Sequence, residues 1–200
     1  MNKNQVLAAT LNGNKDLIRK IAFDKRNLLS YKSIEKYSKL ITNELMCNFN
    51  FTNKKTHLFY PIKKNKEVDT WFLHKKIILK KNKFFCSIYN ETDKSWDCVQ
   101  FDPKVDFKET TFKVPVPVNY IHSKYNEIEI IIIPLLAFDK KGNRIGYGKG
   151  IYDKILAKLN PNCIKIGVSF FDEEKDIINA ENHDIKLDYC QTTNKLHKFI

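Results

Sequence analysis

Apolar and polar positions along this chain of 200 residues fall into two periods. In residues 14–27 the apolar positions Leu17, Ile18, Ile21 and Ala22 recur at helical spacing, with Lys15 and Arg19 four apart on another side. A second helix is expected after Ser33, the serine serving as cap, with Ile34, Tyr37, Ile41 and Leu45 on one face. "THLFYP" is a short apolar run closed by Pro61 and reads as the first strand. "EVDTWFLHK" suits a helix with Glu67 and Asp69 in its first turn, where the helix dipole favours acids.

"KIIL", "KFFCSIY", "DCVQF" and "TTFKV" read as strands, and the polar segment 90–110 as mostly loop. "EIEIIIIP" (127–134) is almost continuously β-branched, the pattern of a strand buried on both faces. A glycine-rich loop follows. Ile151, Ile155, Leu156 and Leu159 then make a helical stripe ended by Pro161, and "CIKIGVSF" (163–170) is another strand. Strand, loop, helix, strand predicts a right-handed βαβ unit. The expected fold class is α/β. Residues 1–200 are expected as a single domain with a mostly parallel or mixed sheet, helices on both faces (Rossmann-like, three layers) and an N-terminal helical pair. Ligands are expected at the C-terminal edge of the strands.

Composition narrows the class. A hydrophobic fraction of 42% indicates a globular chain. The longest apolar stretch, Ile130 to Ala137, is short and interrupted by Pro134, so no membrane span is expected. The N-terminus has no apolar core of an export signal. Five scattered cysteines without C-x-x-C spacing suggest reduced thiols and a cytoplasmic setting, and the histidines show no ligand spacing. The net charge is +12, but lysine outnumbers arginine 32 to 3, a bias unlike that of nucleic-acid readers. Nucleic acid is therefore not expected as a partner, although a basic surface attracts anionic substrates.

Four of the six glycines, Gly142, Gly146, Gly148 and Gly150, lie within nine residues, together with Arg144. Between a strand and a helix, such a loop offers free backbone N–H groups and close approach to an anion. Arg144 and Lys149 add positive charge, and Asp153 is placed to hold Mg2+. The spacing is neither a Walker A loop nor the dinucleotide fingerprint. On residue chemistry alone, phosphate binding competes with a flexible turn carrying incidental lysines.

"IIIPLLAFDKKGNRIGYGKGIYDKIL" resembles the signature of the 5-formyltetrahydrofolate cyclo-ligase (methenyltetrahydrofolate synthetase) family, roughly V-P-G-x-A-F-D-x-x-G-x-R-L-G-x-G-x-G-Y-Y-D. Pro134, Ala137, Phe138, Asp139, Gly142, Arg144, Gly146, Gly148, Gly150, Tyr152 and Asp153 match. Leu135 stands where the pattern has glycine, and Ile151 where it has tyrosine. Lys15 with Arg19, "EVDT" (67–70) and Asp188 fall in the same order as further family segments.

The resemblance implies ATP-dependent closure of 5-formyltetrahydrofolate to 5,10-methenyltetrahydrofolate by a monomer acting on small molecules, with Mg2+ as cofactor and ATP as co-substrate. It implies that Lys15, Arg19, Arg144 and Lys149 hold phosphates, with Arg144 and Lys149 catalytic. Ile145, Gly146, Tyr147, Gly148, Gly150, Ile151 and Tyr152 complete the ATP site. Gly148, Lys149, Gly150 and Tyr152 also border the folate. Glu67 would contact the pterin, Tyr60 and Phe112 would wall it, and Asp153 and Asp188 would hold Mg2+. Two rival classes remain at this stage: a sugar-phosphate isomerase or CoA-transferase relative using the same loop, and an RNA-binding protein stacking bases on "KKNKFFCSIY".

Overall fold

The computed structural model describes residues 14–175 and 177–200. Residues 1–13, where no export signal is expected, lie outside them. In chain order the elements are α1 (Lys15–Asn27), α2 (Tyr31–Asn48), β1 (Lys55–His57), α3 (Trp71–Ile77), β2 (Lys83–Asn90), β3 (Ser95–Phe101), β4 (Phe107–Glu109), β5 (Pro115–Pro117), β6 (Ile121–Ser123), β7 (Ile130–Pro134), β8 (Ala137–Phe138), β9 (Arg144–Ile145), α4 (Ile151–Leu156), β10 (Ile164–Val168), β11 (Tyr189–Gln191) and β12 (Leu196–Lys198). Eight strands form one sheet in the order β12-β11-β10-β7-β1-β2-β3-β6. The inner strands from β11 to β2 pair in parallel, while β12, β3 and β6 add antiparallel edges.

The β-branched run lies at the centre, as its composition requires. Ile130 and Ile132 enter one core with Ile34, Ile41 and Leu45 of α2. Ile131 and Ile133 enter the opposite core with Ile155 and Leu156 of α4. Alternate residues of one strand thus bury against helices on both faces. Helix α1 packs Ile18 and Ala22 on Leu136, Ala137 and Ile145, beside the site described below. From β1 the chain steps to β2 on one side; from β7 it steps to β10 on the other. The strand order reverses between β1 and β7, and a crevice opens at their C-terminal ends.

Several local readings change. Helix α2 begins at Tyr31 and is capped by Ser30, whose hydroxyl accepts from the Ser33 N–H, so Ser33 is not the cap. Glu67 and Asp69 precede α3 rather than occupying its first turn, although Asp69 does accept from the Trp71 N–H. "KIIL" is helical: α3 runs to Ile77, which is fully buried, and a 3-10 turn carries the chain on to Lys80. "TTFKV" is the turn between β4 and β5, closed by the Lys113 N–H on the Thr110 carbonyl. Helix α4 stops at Leu156 and passes through single turns to Leu159. All five cysteines are free, four of them buried. Among the described residues no helix is long and apolar enough to cross a membrane.

One buried base makes this core sensitive to acid. His57, on central β1, is fully enclosed; its Nε2 meets Ser87 Oγ at 2.8 Å and its Nδ1 has no partner. Burial pulls its pKa from the usual 6.5 down to about 3. Between those values the unfolded chain binds a proton that the folded chain refuses, so stability falls as pH falls, by up to about 1.4 kcal/mol per pH unit. His57→Gln removes that group. Urea unfolding at pH 7, 5.5 and 4.5 is expected to show a shallower acid decline in the variant by about one proton; equal slopes would contradict the assignment.

Candidate active site

The site begins where β7 ends. Pro134 closes the strand, and β8 and β9 form a hairpin whose turn is organised by Asp139. That carboxylate is completely buried and accepts from the N–H groups of Lys141, Asn143 and Ile178 and from Asn143 Nδ2, at 2.7–3.0 Å. Gly142 turns the hairpin at φ 78°, and a Cβ there would lie 2.8 Å from the Phe199 ring. The hairpin returns Arg144 to the crevice. Its Nη2 donates to Asp153 Oδ1 at 2.7 Å, while its buried Nε has no partner. Such an orphaned guanidinium donor fits an anionic ligand.

The glycine loop then crosses α1. Arg19 Nε donates to the Gly146 carbonyl at 2.9 Å, and its Nη1 pairs with Asp16. Gly148 takes φ 83°, and a Cβ there would sit 3.2 Å from Arg19 Cζ, so only glycine lets the guanidinium lie this close to the loop. Lys15, one turn earlier on α1, bonds Asp184 Oδ2 at 2.5 Å and Glu181 Oε1 at 2.8 Å. Burial opposes the Lys15 ammonium, but its bonds and charge contacts to Asp184 and Glu181 outweigh it, and its pKa lies above the ordinary lysine value. Lys149 Nζ faces the Phe112 ring, 5.9 Å from its centroid.

A buried chain of hydrogen bonds joins this loop to the opposite wall. Glu67 is only 6% exposed and accepts from the Ile62 N–H at 2.7 Å and from the Tyr147 hydroxyl at 2.8 Å. The same hydroxyl accepts from Arg26 Nη1 at 3.0 Å, and Arg26 Nη2 donates to the Leu135 carbonyl. Burial raises the Glu67 pKa; the Ile62 and Tyr147 bonds and the Arg26 charge oppose it. Burial likewise keeps the Tyr147 and Tyr152 phenols protonated. Tyr60 is 97% enclosed and its hydroxyl meets His74 Nδ1 at 2.7 Å, so it belongs mainly to the aromatic core beneath the crevice, which it also lines. Phe112, at the tip of the β4–β5 hairpin, stands exposed at the rim and meets Tyr89 edge-on.

The crevice encloses about 850 Å³. Lys15, Arg19, Tyr60, Glu67, Phe112 and the whole run from Arg144 to Asp153 line it. Asp188 does not. It lies beside Lys165, three residues before the C-terminal end of β10, and its carboxylate accepts from the Lys165 N–H at 2.8 Å and pairs with the Lys165 ammonium at 2.9 Å. The expected pair of metal-side acids, Asp153 and Asp188, is therefore not brought together. Asp184 and Glu181, which reach into the crevice at Lys15, were not singled out by sequence, nor was Arg26. Arg26 did carry a signal: it is one of only three arginines, and all three serve this site. Outside the crevice, the fold also sets His197 between Asp172 (3.4 Å) and Glu173 (3.3 Å), one carboxylate at each ring nitrogen.

Comparison with known proteins agrees with this architecture. The sequence profile of the 5-formyltetrahydrofolate cyclo-ligase family matches residues 12–193. A 5-formyltetrahydrofolate cyclo-ligase of Haemophilus influenzae is 32% identical over 92 residues, 44% of this chain and 49% of that protein, so the match spans about half of that relative's length. The Mus musculus protein of the same name is 24% identical over 196 residues, 90% of this chain and 94% of its own. The solved 5,10-methenyltetrahydrofolate synthetase of Aquifex aeolicus superposes with a TM-score of 0.78 at 23% identity, covering 92% of each chain. With the profile matched over nearly the whole length and the signature loop set at the crevice, the chain belongs to the 5-formyltetrahydrofolate cyclo-ligase family.

Proposed function

We propose that this protein closes 5-formyltetrahydrofolate to 5,10-methenyltetrahydrofolate, using ATP and Mg2+ and releasing ADP and phosphate. One observation supports this above others: one crevice at the reversal of strand order is lined by Lys15, Arg19, Arg144 and Lys149 together with the buried carboxyl of Glu67 and the rings of Phe112 and Tyr152. Lys15, Arg19, Arg144 and Lys149 are the phosphate-side charges. The loop Ile145-Gly146-Tyr147-Gly148-Lys149-Gly150 carries the nucleotide, with Ile151 and Tyr152 closing its far end. Glu67 reads the polar edge of the pterin, and Phe112 and Tyr152 cover its faces. Substrates are small molecules, and the protein works as a cytoplasmic monomer.

The chemistry asks for this division. The formamide oxygen attacks the γ-phosphorus, and ADP leaves. N10 of the same folate then attacks the activated formyl carbon and loses its proton, and the C–O bond breaks to release phosphate. Both carbon-side reactants sit on one molecule, so the protein's task is to align them and to neutralise moving charge. Arg144 presents a planar fork to the transferring group, and Lys149 follows it as a mobile point charge. Mg2+ would add Lewis-acid neutralisation of phosphate oxygens. Asp153, a hard oxygen donor in the crevice wall, fits that ion; Asp188, held by Lys165 away from the crevice, does not.

Purified protein incubated with 5-formyltetrahydrofolate, ATP and Mg2+ is expected to develop the near-UV absorbance of the methenyl product. Folded protein without that band would contradict the reading. Arg144→Ala is expected to lower kcat/KM by about 10²–10³-fold with the far-UV circular dichroism unchanged. Arg144→Lys is expected to fall between the two, since charge survives but the fork does not. Full activity in Arg144→Ala would assign the loop another role.

A further inference from the structure

Away from the crevice, three side chains of ligand type meet where the edge strand β12 passes the end of β10. Asp172 and Glu173 follow β10 in the chain, and His197 lies on β12, with β11 between the two strands. None of the three lines the crevice. Only 7% of the His197 side chain is exposed, and its ring meets Phe138 edge-on at 4.9 Å. Its Nε2 faces Asp172 Oδ1 at 3.4 Å, and its Nδ1 faces Glu173 Oε2 at 3.3 Å. A carboxylate only accepts, and a neutral imidazole carries one N–H and one lone pair. One ring nitrogen therefore aims its lone pair at a negative charge, in a largely buried setting where such a mismatch is costly. The Lys195 ammonium, 56% exposed and 3.4 Å from Glu173 Oε1, offsets this only in part.

We propose that Asp172, Glu173 and His197 hold a divalent transition-metal ion of the Zn2+ class, through one ring nitrogen and one oxygen of each carboxylate. A proton on the ring would answer the same mismatch, but charge-assisted hydrogen bonds close to about 2.7–2.9 Å. The observed spacing suits ligands of one ion instead: bonds of about 2.0–2.2 Å in a tetrahedral array set neighbouring ligand atoms about 3.4 Å apart. One ligand atom from each residue lies within 4.8 Å of the others. Both carboxylates are partly exposed, which lets them turn onto the ion and leaves a further position to water. Asp172 is steadied by the Thr192 hydroxyl on Oδ1 and by Asn194 Nδ2 on Oδ2, each at 2.7 Å, the kind of outer support that metal ligands receive. The imidazole donor selects against Mg2+ and Ca2+, which take oxygen, so the site is separate from any nucleotide-borne cation. Its role is structural. The Glu174 N–H donates to the Phe138 carbonyl at 2.7 Å, so the ion staples β12 to the segment after β10, behind the hairpin that presents Arg144.

The test uses the full chain, stripped with EDTA and dialysed, and Zn2+ alone as the probe. Titration against a chromogenic zinc chelator is expected to show one tight Zn2+ per chain. The melting temperature is expected to rise with Zn2+, because the ion binds the folded state, and not with the same concentration of Mg2+. Glu173→Gln is expected to weaken Zn2+ binding about tenfold or more and to lose most of the Zn2+-dependent rise, with metal-free melting near that of wild type. His197→Gln is expected to do the same; should it fail to fold, the more exposed Glu173→Gln decides. His183→Asn controls for the exposed group of His183, Glu181 and Asp184 and is expected to keep the tight site. Wild type that binds no Zn2+ tightly would overturn the proposal and leave the trio a proton-held ion pair. Equal affinity in Glu173→Gln, or loss of the tight site in His183→Asn, would overturn it by placing the ion elsewhere.

Discussion

The carboxylate of Asp139 is enclosed on every side, and both its oxygens are spoken for by Lys141, Asn143 and Ile178. A buried charge is tolerated only with such a set of donors, and losing any of them is costly. The geometry of the crevice follows from it. Three of those bonds fold the β8–β9 hairpin that delivers Arg144 and starts the glycine loop. The fourth pins Ile178, at the head of the segment that carries Glu181 and Asp184 to Lys15. Loop and acidic turn are thus registered against one another by one side chain that does not itself line the crevice.

The sheet supplies the rest of the frame. Since β7 is buried on both faces, its C-terminal end is fixed, and the Leu135 carbonyl just beyond it accepts Arg26. Through the Tyr147 hydroxyl, Arg26 connects that fixed point to Glu67 across the crevice. This chain of hydrogen bonds ties the two walls together. Such networks are sensitive to the loss of any member, and they hold polar groups at defined distances, which the ring closure proposed above needs.

The sequence showed the centre of this design and missed its cross-links. The run Ile130–Ile133 is legible because β-branched residues without alternation have one economical placement, in a strand covered on both sides. The loop is legible because its glycines cluster with Arg144 between a strand and a helix, and the fold sets that run along the crevice. "KIIL" was misread because four apolar residues fit a strand or a helix end equally well, and burial of Ile77 from the helix decided it. The Glu67–Tyr147–Arg26 chain spans residues 26 to 147, a separation that periodicity does not encode. Asp184 and Asp188 lie four residues apart, and nothing in their spacing tells which turns to the crevice; Lys165 claims one and Lys15 the other.

The central claim is that the crevice transfers a phosphoryl group onto the formyl oxygen of the folate. It is tested most directly with 5-formyltetrahydrofolate carrying 18O in that formyl group. In a single turnover with ATP and Mg2+, the account predicts that the heavy oxygen leaves on inorganic phosphate, read by mass spectrometry. Methenyl product formed with unlabelled phosphate, the heavy oxygen appearing in water instead, would contradict it.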